Sequence, residues 1–174
     1  LLRAIGPGGK LHSYERRQQF ADVARRNVEN FIGGEHPAWE LTVGDLVEVM
    51  ADEPIDRAIL DMLAPWENIA ASARALVPGG LFLAYAATTT QLSRTVEALR
   101  HCGLFTETTV RDWHAEGLAI RPGHGTSAHT GFLVLSRRLA PGVSAPIRKR
   151  RPAPGAYGPD YQGPRPLNMP ESDR

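Results

Sequence analysis

The amino-acid sequence predicts an α/β fold whose sheet is largely parallel. Three observations carry this expectation. Short apolar or alternating stretches recur along the chain, segments with apolar residues at helical spacing separate them, and acids or glycines punctuate the junctions. Repeated strand–helix alternation returns the chain to the sheet in the same direction, which makes neighbouring strands parallel. At 174 residues the chain is long enough for one domain with a sizeable apolar core.

Each element has its own justification. Residues Leu1 to Gly9 read as the last turn of a helix running into a glycine stop, and the lack of an initiator methionine predicts that more chain precedes Leu1. Lys10 to Tyr14, ending at Glu15, reads as a strand. From Arg16 to Phe31 the residues Phe20, Val23, Ala24, Val28 and Phe31 recur at helical spacing, and Gly33-Gly34 ends the helix. Trp39 to Val43 alternates and meets Gly44-Asp45, a second strand with a polar tip. Arg57 to Asp61 is a buried-type strand ending in an acid. Glu67 to Leu76 reads as a helix closed by Pro78-Gly79-Gly80, and Leu81 to Ala87 as a strand covered on both faces. Thr90 to Cys102 sets Leu92, Val96 and Leu99 on one helical stripe. Thr106 to Trp113 and Thr130 to Leu135 read as strands, and with no helix between them they predict an antiparallel pair at the sheet edge. From about Ala145 the composition turns basic and then Pro/Gly-rich, beginning with Ile147-Arg148-Lys149-Arg150-Arg151. Such a segment buries too little apolar surface to order itself. The expected division is a folded part over 1–142 and a disordered basic tail over 143–174.

Composition narrows the function classes. The formal net charge is +1, so contact with nucleic acid requires a local patch rather than a global field. The single cysteine, Cys102, excludes an internal disulfide and a cysteine-cluster metal site, and its apolar neighbours read as packing. No apolar run approaches the roughly 18 residues that span a bilayer, and no signal-peptide pattern opens the chain. The expectation is a cytoplasmic protein with no membrane partner and no bound metal.

In an open α/β sheet, ligands bind beyond the carboxyl ends of the strands. Glu15, Asp45 and Asp61 fall at such ends. A carboxylate at the tip of a strand can accept two ribose hydroxyls at once, and one placed a strand later can accept from an adenine amino group. Acids at these positions also serve as helix caps or solvated turn residues. The stretch Leu60-Asp61-Met62-Leu63-Ala64-Pro65-Trp66 is more specific. Asp61 closes a buried strand, Pro65 restrains the loop, and Trp66 offers either a surface for a base to stack on or a plug for the core. Arg121-Pro122-Gly123-His124 and His129-Thr130 form a third cluster, read as a loop that clamps phosphate or positions a base, or as a solvated loop.

Taken together, these clusters resemble the actinobacterial and archaeal tRNA (adenine-N1-) methyltransferases that modify adenosine 58 in the T-loop. The resemblance runs from Leu1 to about Gly142. It is carried by Ser13-Tyr14-Glu15-Arg16-Arg17 with Phe20-Ala21 and Ala24-Arg25-Arg26-Asn27, by Leu60 to Glu67, by Tyr85 to Leu92, by Arg121 to His124 and by His129 to Val134. It implies a class I, S-adenosyl-L-methionine-dependent, Rossmann-like sheet that here lacks its first, central strand and the glycine-rich loop after it. The sheet should then be gapped between the strands ending at Glu15 and Asp61.

The resemblance also implies roles. Glu15, with Arg16 beside it, holds the cofactor ribose, and Asp45 with Leu46 lies beside the cofactor adenine. Asp61 is catalytic and near the cofactor amino group. Trp66, Gln91, Arg121, His124, His129 and Thr130 line the pocket for the tRNA adenosine. The implied assembly is a homotetramer acting on tRNA without a metal. Two rivals stand beside it: a noncatalytic tRNA-binding subunit of such an enzyme, and a class I methyltransferase with another substrate.

Overall fold

The computed structural model describes residues 1–6, 8–49, 53–116 and 128–145. Arg121, His124 and the basic run Arg148 to Arg151 lie outside these residues, as does most of the expected tail. The described residues form two pieces of sheet.

The first piece pairs β1 (Leu11–Glu15) with β2 (Trp39–Val43) in parallel, from Leu11 opposite Trp39 to Glu15 opposite Val43. Helix α1 (Gln18–Ile32) is the crossover. It ends where the sequence predicts, because Gly33 adopts φ 88° and donates its N–H to the Glu29 carbonyl at 2.8 Å. That left-handed position costs other residues steric strain and glycine none. A short helix, α2 (Leu46–Val49), follows β2, and nothing in the sequence pattern had announced it.

The second piece contains β3 (Ile55–Asp61), a 3-10 turn (Pro65–Asn68), α3 (Ile69–Ala75), β4 (Leu76–Ala86), α4 (Thr89–Cys102), β5 (Thr109–Glu116) and β6 (Ala128–Arg137). Its strand order is β3-β4-β6-β5. The β3–β4 pair is parallel, whereas β6 runs antiparallel to both β4 and β5. The sheet is therefore mixed rather than largely parallel. The last two strands do pair antiparallel, yet only β5 is an edge, because β6 is seated between it and β4. The reversed strand β6 takes the flank of β4 that β3 leaves free.

Several boundaries differ from expectation: β3 begins at Ile55 rather than Arg57, β5 spans Thr109–Glu116 rather than starting at Thr106, and β6 is longer at both ends. The helix predicted to reach Leu76 stops at Ala75, and Pro78-Gly79-Gly80 lies inside β4 instead of before it. Ile55 pairs with Leu76 but Arg57 with Leu81, so β4 carries extra residues as a bulge, the setting in which a strand tolerates Pro and Gly. Gly79 N–H and Gly80 C=O still find partners, in the Arg138 carbonyl and amide. His129 and Thr130 were read as loop residues around a strand start, and they are strand positions of β6, opposite Ala115 and His114.

The core lies on one face of β3-β4-β6-β5. Ala58, Leu60, Phe82, Ala84 and Val134 point from the strands into Ile69 and Ala73 of α3 and Leu99 of α4. The Phe82 and Phe105 rings meet edge to face at 5.5 Å, a favoured aromatic geometry. Cys102 packs half-buried against this cluster, as its apolar neighbours suggested. The opposite face departs from the expected two-sided burial. Leu81, Leu83 and Tyr85 are only half-buried and Ile59 is 42% exposed, since α3 and α4 both pack on the Phe82 side.

No strand pairing joins the two pieces among the described residues. They meet through Leu46, which packs against the four-stranded core, and through His12 Nε2, 4.0 Å from Glu53 Oε2. Among the described residues β1 and β3 each have one edge without a partner strand, in keeping with the expected gap between the strands ending at Glu15 and Asp61.

Candidate active site at the carboxyl ends of the strands

All three acids singled out in the sequence sit at carboxyl ends of parallel strands. Glu15 closes β1, Asp45 follows β2 by two residues, and Asp61 closes β3. Glu15 Oε1 accepts from the Arg17 amide at 2.9 Å and lies 3.5 Å from its guanidinium Nε. The carboxylate thereby satisfies an amide at the α1 N-terminus, while its further lone pairs stay available to a ligand hydroxyl. The Glu15 carbonyl also accepts from Gly44 at 3.0 Å, which fixes the tips of β1 and β2 against each other.

Asp45 has a capping role. Its Oδ1 accepts from Val47 N at 3.1 Å at the start of α2, and its Oδ2 lies 3.9 Å from Arg16 Nη1. Leu46 is half-buried and turns into the four-stranded core rather than outward. Glu15, Arg16 and Asp45 therefore form one charged rim. The cap alternative describes Asp45, and a carboxylate that caps retains acceptor capacity.

Asp61 is exposed, and its side chain has no partner among the described residues. It stands opposite Tyr85 of β4, and Tyr85 stands opposite Leu133 of β6, so Asp61 and Tyr85 share the open face of the sheet. The Tyr85 ring lies over Gly131 of β6: a Cβ there would sit 2.6 Å from the hydroxyl oxygen and 2.8 Å from Cζ. Gly131 is thus a residue the sequence reading did not single out, since the close approach couples two strands far apart in the chain.

Trp66 belongs to the 3-10 turn and packs half-buried against the core, with the Arg94 guanidinium 5.2 Å above its ring. The core-plug alternative describes it, and Arg94 covers a face that a base would need. Both ends of the Gln91 side chain meet backbone. Its Oε1 accepts from Ala87 N at 3.0 Å and Thr88 N at 3.1 Å, and its Nε2 donates to the Leu63 carbonyl at 2.9 Å. His129 and Thr130 stand two and one positions before Gly131 on β6. No cluster of metal-ligating side chains occurs among the described residues, and no helix among them is long and apolar enough to cross a membrane.

A Rossmann-like sheet with acid-tipped parallel strands and an antiparallel return strand defines a class I methyltransferase fold. An S-adenosylmethionine-dependent O-methyltransferase from Thermotoga maritima superposes with a TM-score of 0.66 at 27% identity, over 80% of this chain and 53% of that one. Residues 1–115 match the family described as tRNA methyltransferase complex GCD14 subunit, and the chain belongs to that family. Among characterised relatives, the tRNA (adenine(58)-N(1))-methyltransferase TrmI of Thermus thermophilus is 32% identical over 143 residues, covering 79% of this chain and 55% of that enzyme. The tRNA (adenine(57)-N(1)/adenine(58)-N(1))-methyltransferase TrmI of Methanocaldococcus jannaschii is 26% identical over 165 residues, covering 79% of this chain and 58% of that enzyme. The chain spans little more than half the length of these relatives.

Proposed function

We propose that this chain is part of an S-adenosyl-L-methionine-dependent enzyme that methylates N1 of adenosine 58 in the T-loop of tRNA. The observation that carries the reading is Asp61, an exposed carboxylate closing the parallel strand β3, opposite Tyr85 and, like Glu15 and Asp45, at the carboxyl end of a strand. Family membership and the named activities of the relatives support it.

The donor set suits the cofactor's nucleoside half. Glu15 and Asp45 are acceptors for ribose hydroxyls and an adenine amino group, with the Arg16 guanidinium 3.9 Å from the Asp45 carboxylate. The methionine half needs donors that these tips do not supply. In the proposal, a further strand and its loop in the whole protein fill the opening between β1 and β3 and provide them. When bound, the cofactor supplies an electrophilic methyl group on a sulfonium.

The chain's own residues act on the adenosine. As N1 gains its substituent, positive charge develops across the base and the exocyclic amine becomes a stronger donor. A carboxylate at Asp61 accepts that hydrogen bond and stabilises the developing charge. Drawing the base out of the T-loop costs a few kcal/mol, which contacts with tRNA elsewhere on the protein must offset. The proposal includes a homotetramer in the cytoplasm and no metal.

The deciding experiment uses the full-length protein, unmodified tRNA and cofactor carrying a labelled methyl group. Asp61→Asn should lower kcat by about 100- to 1000-fold, the range for removing one preorganised transition-state contact. Cofactor affinity should stay within a few-fold. Unchanged turnover removes Asp61 from the chemistry, and a labelled small molecule in place of tRNA moves the reading to another methyltransferase substrate.

A further inference from the structure

The loop that follows Asp61, the last residue of β3, is tied to the start of α4 by the Gln91 side chain. After Asp61 the chain turns through Met62, Leu63 and Ala64 into the 3-10 turn at Pro65. Met62 faces the core and takes the Asn68 amide on its sulfur at 3.1 Å, whereas the Leu63 side chain is 82% exposed. Nothing in the Leu63 side chain anchors it. Its carbonyl is anchored, by the Gln91 amide nitrogen at 2.9 Å, from 28 residues further along the chain.

The other end of the same amide is fixed. Gln91 Oε1 accepts from Ala87 N and Thr88 N, and Thr88 Oγ1 accepts in turn from Gln91 N at 3.2 Å, a reciprocal capping box at the start of α4. A planar amide with its oxygen held has its nitrogen aimed as well. Gln91 is therefore a rigid strut between the end of β4 and the loop after β3. These two strand ends also carry the neighbours Tyr85 and Asp61.

We infer that Gln91 is a positioning residue rather than one that touches the substrate itself: strand pairing sets Asp61 opposite Tyr85, and Gln91 holds the 62–64 loop that leaves the strand there, which fixes the direction of the Asp61 carboxylate. The inference rests on Asp61 being the catalytic acid proposed above, and its structural half stands without that reading. A capping glutamine needs only its oxygen. The donor bond to Leu63 is the part that helix formation does not require.

The two functions of the side chain separate by substitution. Gln91→Glu keeps an oxygen for the Ala87 and Thr88 amides, and a charge favoured at a helix N-terminus, but removes the donor and turns an oxygen toward the Leu63 carbonyl. Thr88→Ala weakens the cap and leaves the donor bond. In the full-length protein, Gln91→Glu should keep its melting temperature. Amide hydrogen exchange over residues 61–66 should accelerate about tenfold, and kcat on tRNA should fall about tenfold or more with KM for the cofactor little changed. Thr88→Ala should lower the melting temperature while kcat stays within about twofold.

Wild-type exchange over 61–66 in Gln91→Glu overturns the strut. Accelerated exchange with unchanged kcat overturns the positioning role. A raised KM for tRNA at unchanged kcat would make Gln91 a substrate contact instead. If wild-type protein fails to methylate tRNA at all, the proposed activity falls, and the exchange measurement still decides the strut.

Discussion

Gly131 shows how one missing side chain shapes this site. It is opposite Trp113 on β5, and the Tyr85 ring from β4 occupies the volume its Cβ would take. Gly131→Ala would drive the methyl group into a ring atom at 2.8 Å, so the ring must move or the strands part. We expect a loss of about 1–3 kcal/mol, the usual cost of overpacking, read as a lower midpoint in urea unfolding. If the proposed methyl transfer uses Asp61, it should also fall, because Tyr85 stands next to Asp61. The additional substitution Tyr85→Ala should restore the midpoint toward that of Tyr85→Ala alone. Neither Gly131 nor the strut role of Gln91 was legible in the sequence, although both residues fall in the family-like stretches. Gln91 was assigned to the substrate, yet both ends of its amide are taken by backbone. Its distance of three residues from Thr88 is a local signal that sequence carries, while its bond to Leu63 is not.

At the scale of elements, the helix ends obey local chemistry most closely. Gly33 at φ 88° closes α1, and Gly33→Ala should cost about 1 kcal/mol, since the new Cβ meets open space but an unfavourable backbone region. Thermal unfolding of the variant checks this, and an unchanged midpoint would show that the α1 terminus frays before the transition. Strand ends were legible for the same reason: β2 has the bounds its alternation announced, and β1 ends at Glu15 as expected, although it begins at Leu11 rather than Lys10. Pro78-Gly79-Gly80 misled the reading because the residues that form a turn between elements also form a bulge within one. What decides between the two is whether a partner strand is present to accept Gly79 N–H and donate to Gly80 C=O, and Arg138 does both.

At the scale of the molecule, the division of the sheet into β1-β2 and β3-β4-β6-β5 has a physical consequence. Among the described residues one edge of β1 and one edge of β3 have no partner strand, and the sheet face bearing Ile59, Leu83 and Leu135 lies away from α3 and α4. Unpaired edges and an uncovered apolar face favour association. We therefore expect the 174-residue chain by itself to self-associate, and to bind the proposed cofactor much more weakly than the longer protein of the proposal. Light scattering and calorimetric titration of the two proteins side by side check this, and a monodisperse monomer with full-length affinity would overturn it.

The sequence by itself determined the α/β class, the order and type of the principal elements, the acids at the tips of the strands and the family-like stretches around them. These depend on periodicity, capping and turn chemistry, which act over a few neighbouring residues. Only the tertiary structure decided that β6 lies between β4 and β5, that Pro78-Gly79-Gly80 is inside a strand, that Tyr85 rests on Gly131 and that Gln91 holds Leu63. Each of these joins groups distant in the chain. A backbone amide or an aromatic ring finds such a partner through the competition among all available edges and volumes, which no local pattern records.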